Sequence, residues 1–140
     1  MSINKITTAA VQAGINTDQH HGAVVAPIYL SSTYSLKGFN DKREFDYSRT
    51  GNPTRATFAQ AIATLEQGSV GIVTSTGMAA VHLICQLLST EDLVVIPHDC
   101  YGGSFRLFTH LAKRDLFKLI VVDQNDEEAL AKALAQKPKL

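Results

Sequence analysis

The chain predicts an α/β fold with a mostly parallel sheet and flanking helices, and three observations carry the prediction. From Asn52 onward, segments with helical spacing alternate with short runs rich in β-branched residues. The runs LVVIP (93–97) and FKLIVV (117–122) show little polar alternation, as strands covered on both faces do. A helix-length stretch separates each run from the next, which is what parallel neighbours need for their crossover.

Residues 1–52 behave differently. A short amphipathic stretch near Ile6–Ala13 gives way to a long irregular run containing His20, His21, Pro27 and Ser31-Ser32-Thr33-Tyr34. Such a run is either a tail or an arm packed on another surface. Val24, Val25, Ile28, Tyr29, Leu30 and Tyr34 favour the arm, because that much apolar side chain is costly to leave in water. Residues 1–52 are therefore expected to form an N-terminal arm that meets a partner surface. Residues 53–140 are expected to form the first part of an α/β domain.

Each element of that domain has readable ends. Asn52 can cap a helix that opens with Pro53, where a missing N–H costs nothing, and that closes near Gln67 before Gly68. Phe58, Ala61, Ile62 and Leu65 are expected on its buried face. Ser69–Thr74 (SVGIVT) reads as a strand. A second helix starts at Ser75 or Thr76 and continues through GMAAVHLICQLL, apolar nearly all round except for His82 and Gln86, which share one face. It is expected to be buried in a larger structure. Leu93–Pro97 is the next strand, Gly103–Arg114 the next helix and Phe117–Val122 a third strand. Asn125 is expected to cap a last helix, with Glu128 at the capping-box position and Leu130, Ala131 and Leu134 as its apolar stripe. Pro138-Lys139-Leu140 reads as the lead-in to a fourth strand, and three central-looking strands would leave two bare edges. The chain is expected to be an incomplete piece of a larger molecule.

Composition narrows the function classes. With 45% hydrophobic and 19% charged residues in a length of 140, there is enough apolar side chain for a core and too little polar excess for disorder. Thirteen Lys plus Arg balance thirteen Asp plus Glu, so no broad basic field exists and nucleic acid is not an expected partner. No apolar run reaches the roughly 18 residues of a membrane span, and MSINKITTAAVQAG lacks the basic start and apolar centre of an export signal. A cytoplasmic protein with no membrane partner is expected. Cys85 and Cys100 form neither a CxxC pair nor a four-ligand zinc pattern, and no metal is expected.

Ligands in open α/β sheets bind beyond the carboxyl ends of the strands. Thr74–Met78, His98–Gly103 and Asp123–Asn125 meet that description. At Ser75-Thr76-Gly77-Met78, small residues let an anion approach the free N–H groups of a helix start, and Gly77 removes the Cβ that would block it. An ordinary Ser/Thr cap is the other reading. Neither GxGxxG nor GxxxxGK[ST] occurs, so the usual dinucleotide and triphosphate cradles are not supported. Tyr47, Ser48 and Arg49 place a phenol, a hydroxyl and a guanidinium ahead of a helix start, and Arg suits a phosphate through its planar fork. A plain polar turn fits the same residues. Tyr101 offers a ring for stacking on a flat ligand, or for packing on its own helix. His98, Asp99 and Cys100 are adjacent in one loop and do not converge as a metal or thiol site would. His20, His21, His82 and His110 are scattered and read as structural or surface residues.

Taken together, D-Y-S-R-x-G-N-P-T at Asp46–Thr54, T-S-T-G-M-A-A at Thr74–Ala80 and H-D-C-Y-G-G-S at His98–Ser104 resemble the Cys/Met-metabolism family of pyridoxal-phosphate enzymes. The similarity runs from A-P-I-Y-L-S-S-T-Y in the arm to the final K-P-K-L. It implies the N-terminal part of a fold-type I pyridoxal-phosphate-dependent transferase, with pyridoxal 5'-phosphate as cofactor. By position, the resemblance implies that Gly77 and Met78 hold the cofactor phosphate through their backbone N–H groups. It implies that Tyr47 and Arg49 reach the phosphate of a neighbouring subunit, making the active site a property of a homo-oligomer, a dimer of dimers. Tyr101 is implied to stack on the pyridine ring and to take a proton from the incoming amino group. Asp46 is implied to lie near the amino group of an entering cysteine, although a plain turn Asp is an equal reading.

The likeness is greatest to the branch that replaces the γ-substituent of an O-acylated homoserine, O-succinyl-L-homoserine, with the sulfur of L-cysteine. Thr50 departs from the second Arg common at its position in that branch. The Lys that bonds the cofactor, the Asp that pairs with its pyridine nitrogen and a nearby Ser/Thr pair lie beyond Leu140 in relatives, so these residues alone are expected to be inactive. A non-catalytic reading also stands: an α/β module that binds an anion at Ser75–Met78 and dimerises through its arm.

Overall fold

The computed structural model describes residues 3–140, and the chain divides into two compact units, Met1–Val73 and Thr74–Leu140. The first contains helices α1 (Ile3–Gln12) and α2 (Pro53–Leu65), which pack on each other. Between them the chain has no regular helix or strand, but it is tied by local hydrogen bonds. The Tyr34 N–H donates to the Asp46 carbonyl at 2.9 Å and the Ser48 N–H to the Ser32 carbonyl at 2.8 Å, flanking an isolated antiparallel bridge between Thr33 and Tyr47.

α2 begins as its sequence predicts, because Asn52 is extended (φ −141°, ψ 132°) and its side chain accepts from the N–H groups of Thr54 and Arg55. Its buried face differs from the expected one. Ala63 is the buried residue, at 3% exposure, whereas Phe58 and Ile62 are exposed. Helical spacing identifies an apolar stripe but not what covers it, and in this unit Phe58 and Ile62 are left uncovered.

Ser69–Thr74 is not a strand. A strand exists through its ladder partner, and no described residue pairs with this segment. It lies against α2 instead, so closely that a Cβ on Gly71 would stand 2.2 Å from the Ala59 carbonyl oxygen.

The second unit holds α3 (Gly77–Cys85), β1 (Leu93–Pro97), α4 (Gly102–Lys113), β2 (Lys118–Val122) and α5 (Glu127–Leu134). β1 and β2 pair in parallel with Leu93 opposite Lys118 and Pro97 opposite Val122. Two strands therefore stand where three were expected. On the other edge of β1, the Lys139 N–H donates to the Leu93 carbonyl and the Val95 N–H to the Leu140 carbonyl, both at 2.9 Å. The C-terminal residues thus lie beside β1 with hydrogen bonds on both sides of Val94, the arrangement of a parallel neighbour.

The core of this unit gathers Cys85, Val94, Ile96, Phe108, Leu111 and Phe117, with the Phe108 and Phe117 rings edge to face at 6.2 Å. α3 is less buried than its composition suggests. Cys85 is covered, while Leu83 and Ile84 are exposed. α5 starts one residue later than expected: Asp126, not Asn125, is its cap and accepts from the Ala129 N–H at 2.9 Å. Asn125 is drawn backwards instead, its N–H donating to Asp123 Oδ1 at 2.9 Å, and the shift leaves Glu128 outside any capping box. Ala133 is the buried residue of α5, whereas Ala131 and Leu134 are exposed.

Candidate functional site

In the second unit the start of α3 is built to stay open. Thr76 is extended, its Oγ1 accepts from the Ala79 N–H at 3.0 Å, and its carbonyl accepts from Thr74 Oγ1 at 2.9 Å. The cap thus uses the third N–H of the helix. The first two, on Gly77 and Met78, have no intrahelical acceptor by geometry. Gly77 is exposed, and a Cβ built there would meet nothing within 4 Å. Small residues at 75–77 leave room in front of the positive end of a helix dipole, where an anion can approach.

Tyr101 stands at the cap of α4, where its side chain makes no cap bond and the residue is 73% exposed. Met78 follows the open amide of Gly77, and its Sδ accepts from Ser104 Oγ at 3.9 Å. Tyr101 and Met78 both border the Cβ position of Gly103, so the first turns of α3 and α4 meet. The second unit therefore brings together three of the sequence-predicted residues, Gly77, Met78 and Tyr101.

At the carboxyl ends of the strands, His98 Nδ1 lies 3.7 Å from Asp123 Oδ1, both half exposed. The Asn125 N–H holds the Asp123 carboxyl below its ordinary range, with a smaller contribution from His98. Among the described residues no cluster of His, Cys, Asp or Glu has metal-binding geometry. Burial pushes the Cys85 thiol up, which makes it a core residue and a poor nucleophile, and Cys85 and Cys100 are free.

In the first unit Tyr47 and Arg49 form a pair. Arg49 Nη2 donates to Tyr47 Oη at 2.9 Å, and its Cζ lies 5.1 Å from the centre of the Tyr47 ring, within cation–π range. The turn beneath is closed by the N–H groups of Thr50 and Gly51, both donating to the Tyr47 carbonyl at 3.0 Å. A cavity of about 410 Å³ opens beside the guanidinium, lined among others by Phe45, Arg49, Asn52 and Arg55. Asp46 is engaged on both oxygens, by Lys42 Nζ at 2.5 Å and Thr50 Oγ1 at 3.2 Å. The Lys42 hydrogen bond holds its carboxyl below the ordinary range.

Two residues of these clusters escaped sequence reasoning. Arg55 Nη2 donates to the Arg49 carbonyl at 3.3 Å. The available signal was its position, since a cation in the first turn of a helix opposes the dipole and is placed there for some other contact. Gly103 was expected at the end of the His98–Gly103 loop and the start of the next helix, with no contact of its own, and the pair of glycines at a helix start was its signal.

The family model described as Cys/Met metabolism PLP-dependent enzyme matches residues 7–140. The chain belongs to that family. The cystathionine gamma-synthase of Escherichia coli K12 is 55% identical over 137 residues, which are 97% of this chain and 36% of the relative. The cystathionine beta-lyase of Lactococcus lactis subsp. cremoris MG1363 is 36% identical over 137 residues, 98% of this chain and 36% of the relative. Among solved structures, cystathionine gamma synthase from Xanthomonas oryzae pv. oryzae, in complex with aminoacrylate and cysteine, is similar with a TM-score of 0.88 and 52% identity. That similarity covers 96% of this chain and 35% of the other. The chain thus spans about a third of the length of the relatives it matches.

Membership makes pyridoxal phosphate the cofactor, and the fold is the α/β fold of those enzymes. The residues present fit such a group. In the second unit, the amides of Gly77 and Met78 at a helix start suit a doubly charged phosphate and the exposed Tyr101 ring offers a flat apolar face; in the first unit, taken by itself, Arg49 keeps guanidinium donors beyond the one given to Tyr47. Among the described residues, no helix is long and apolar enough to cross a membrane.

Proposed function

We propose that the protein to which these residues belong is a cystathionine γ-synthase, converting O-succinyl-L-homoserine and L-cysteine to L-cystathionine and succinate. The single observation that carries this reading is the 55% identity to the Escherichia coli γ-synthase, against 36% to the lactococcal β-lyase over an equal span. The Xanthomonas relative solved with aminoacrylate and cysteine, and also with cystathionine, supports the same substrate class. In the reaction the Cγ–O bond of the ester breaks, the sulfur of cysteine bonds to Cγ, succinate leaves as a carboxylate, and the thiol proton passes to solvent.

Bound pyridoxal phosphate supplies an electron sink for the carbanion chemistry at the amino-acid carbons. The chain's own residues bind and orient. The Gly77 and Met78 N–H groups would hold the phosphate at the positive end of α3, where a Cβ on Gly77 meets no neighbouring atom within 4 Å. Tyr101 would cover the pyridine ring with its exposed face, and its side-chain oxygen, as the phenolate, would take a proton from the incoming amino group. Tyr47 and Arg49, prearranged by their own hydrogen bond, reach the phosphate of a neighbouring subunit's cofactor in a dimer of dimers. Exposed Val24, Val25, Ile28 and Leu30 in residues 1–52 supply apolar surface for that assembly. Asp46, kept ionised by Lys42, offers a carboxylate for the amino group of cysteine. The two free thiols are compatible with a reducing cytoplasm.

The lyase branch is the second reading, because lyase relatives match the same span of the chain. An assay of the full-length protein with O-succinyl-L-homoserine and L-cysteine separates them. Cystathionine formation dependent on both substrates supports the synthase. Cleavage of cystathionine to a thiol and a keto acid, with no synthesis, assigns the protein to the lyases.

A further inference from the structure

The Tyr101 ring and the Met78 sulfur, at the starts of α4 and α3, meet over a residue that has no side chain. A Cβ built on Gly103 would lie 2.5 Å from Tyr101 Cε1, 3.1 Å from Tyr101 Cδ1 and 3.1 Å from Met78 Sδ. Side-chain carbons do not approach an aromatic carbon at 2.5 Å, so an alanine here would push the ring off its seat. Backbone conformation does not explain the glycine, because Gly103 is helical and is not among the residues with positive φ. Helix propensity does not explain it either, since glycine weakens a helix relative to alanine.

Gly102, one residue earlier, makes the contrast. A Cβ there would meet only the Arg106 guanidinium, with Nη1 at 3.4 Å, an ordinary contact with the far end of a flexible side chain. Two adjacent glycines in one turn therefore do different things. The next residue, Ser104, completes the contact by donating Oγ to Met78 Sδ at 3.9 Å.

We propose that Gly103 is a positioning residue for the cofactor: its bare Cα seats the edge of the Tyr101 ring beside Met78, and so sets where that ring stands relative to the open amides of Gly77 and Met78. Tyr101 is 73% exposed, so its ring has freedom to swing into solvent once the seat is filled. The inference rests on the reading of Tyr101, Gly77 and Met78 as cofactor-holding residues.

The test uses the full-length holoenzyme and four variants, Gly102→Ala, Gly103→Ala, Tyr101→Ala and the Gly103→Ala/Tyr101→Ala double. Readouts are pyridoxal phosphate affinity by titration, the visible absorption band of the bound cofactor, kcat and KM, and thermal midpoint. Gly103→Ala is expected to weaken cofactor binding by about two- to tenfold, the range of a lost ring contact, and to shift the absorption band. Gly102→Ala is expected to change neither. Once Tyr101→Ala is present, adding Gly103→Ala is expected to have no further effect, because the group it displaces is gone.

An equal loss from Gly103→Ala with and without the ring overturns the inference, and so does a Gly103→Ala variant with unchanged affinity and band when Tyr101→Ala is impaired. If Tyr101→Ala itself leaves affinity and band unchanged, the underlying reading of the site falls. Should Gly103→Ala alone fail to fold, recovery of folded protein in the double variant supports the seat, and failure to recover overturns it.

Discussion

Tyr29 is held at both of its backbone groups by the start of α2: Asn52 Nδ2 donates to its carbonyl at 3.1 Å, and its N–H donates to Thr54 Oγ1 at 2.9 Å. The same Asn52 amide also reaches Tyr34 Oη and Ser48 Oγ, each at 3.2 Å, sharing its two hydrogens among the three acceptors, while Oδ1 caps the helix. One side chain thus ends a helix and anchors residues that have no regular structure of their own.

Asn52→Ala removes the cap and these shared donated bonds together. The cap alone accounts for about 1 kcal/mol and the other bonds for about 0.5–1.5 kcal/mol each, not fully additive, so a loss of roughly 2–3 kcal/mol is expected. Asn52→Asp keeps the cap oxygen but cannot donate, and should fall between wild type and Asn52→Ala. Urea unfolding of the full-length protein followed by circular dichroism reads both; equal stability of Asp and Ala variants would mean that the donated bonds contribute nothing.

Arg49→Ala is expected to weaken cofactor retention, since a charge-assisted contact of about 1.5–3 kcal/mol is lost. Tyr47→Phe keeps the ring beneath the guanidinium but removes the 2.9 Å bond that orients it, so a smaller loss is expected. Arg49→Lys should not restore the wild type, because a point charge lacks the planar fork. Equilibrium dialysis of pyridoxal phosphate from each variant measures the series, and unchanged retention in Arg49→Ala would remove this residue from the site.

How much of this was legible in the sequence depends on whether the signal is local. Asn52 before Pro53, and Thr76 before Gly77, encode their helix starts in side chains that bond within three residues; the first cap is where the sequence places it, and the second settles a start left open between Ser75 and Thr76. Leu93–Pro97 was legible as a strand because an uninterrupted apolar run is buried wherever it pairs. Ser69–Thr74 is likewise rich in β-branched residues, yet whether it forms a ladder depends on a neighbour from elsewhere, which β-propensity does not encode. At α5 two adjacent capping residues competed, and Asp126 prevailed because Asp123 already engages Asn125. At the start of α3 the small residues allowed both an open helix end and an ordinary Ser/Thr cap, and Thr76 supplies the cap while the Gly77 position stays uncrowded. The seat at Gly103 was not, since it depends on where Tyr101 and Met78 meet in space.

Acid should loosen the C-terminal residues from β1. Asp92 accepts from Lys139 Nζ at 2.9 Å and from the Ser89 N–H at 2.8 Å, and these bonds, Lys139 first, hold its carboxyl below the ordinary 3.8. A carboxyl lowered on folding contributes stability that is present above its unfolded value and is lost as pH falls through the folded one. The protection factor of the Val95 amide, which donates to Leu140, is therefore expected to decline below pH 3.8. Asp92→Asn should give the reduced protection at neutral pH and abolish the acid decline. Hydrogen exchange by NMR distinguishes this from general acid unfolding, which would release Val94 and Phe108 at the same pH.

Gly71 and Gly77 are both followed by apolar residues near one another in sequence, but their surroundings demand opposite outcomes. A Cβ on Gly71 would lie 2.2 Å from the Ala59 carbonyl oxygen and 2.9 Å from its carbon, and backbone cannot move aside as a side-chain tip can. Gly71→Ala should therefore destabilise by roughly 1–3 kcal/mol, the cost of overpacking. A Cβ on Gly77 meets nothing within 4 Å, and alanine is the better helix former, so Gly77→Ala should leave the thermal midpoint of the cofactor-free protein unchanged or slightly raised. Its effect belongs to the ligand instead: the added methyl stands in the space through which a phosphate approaches the first two amides of α3, and retention of pyridoxal phosphate should fall by about tenfold, the equivalent of one lost hydrogen bond. Thermal melts and cofactor titration on the two variants are the measurement. If Gly77→Ala proved as destabilising as Gly71→Ala, the glycine would be a packing requirement, and the open helix start would carry no argument for a bound anion.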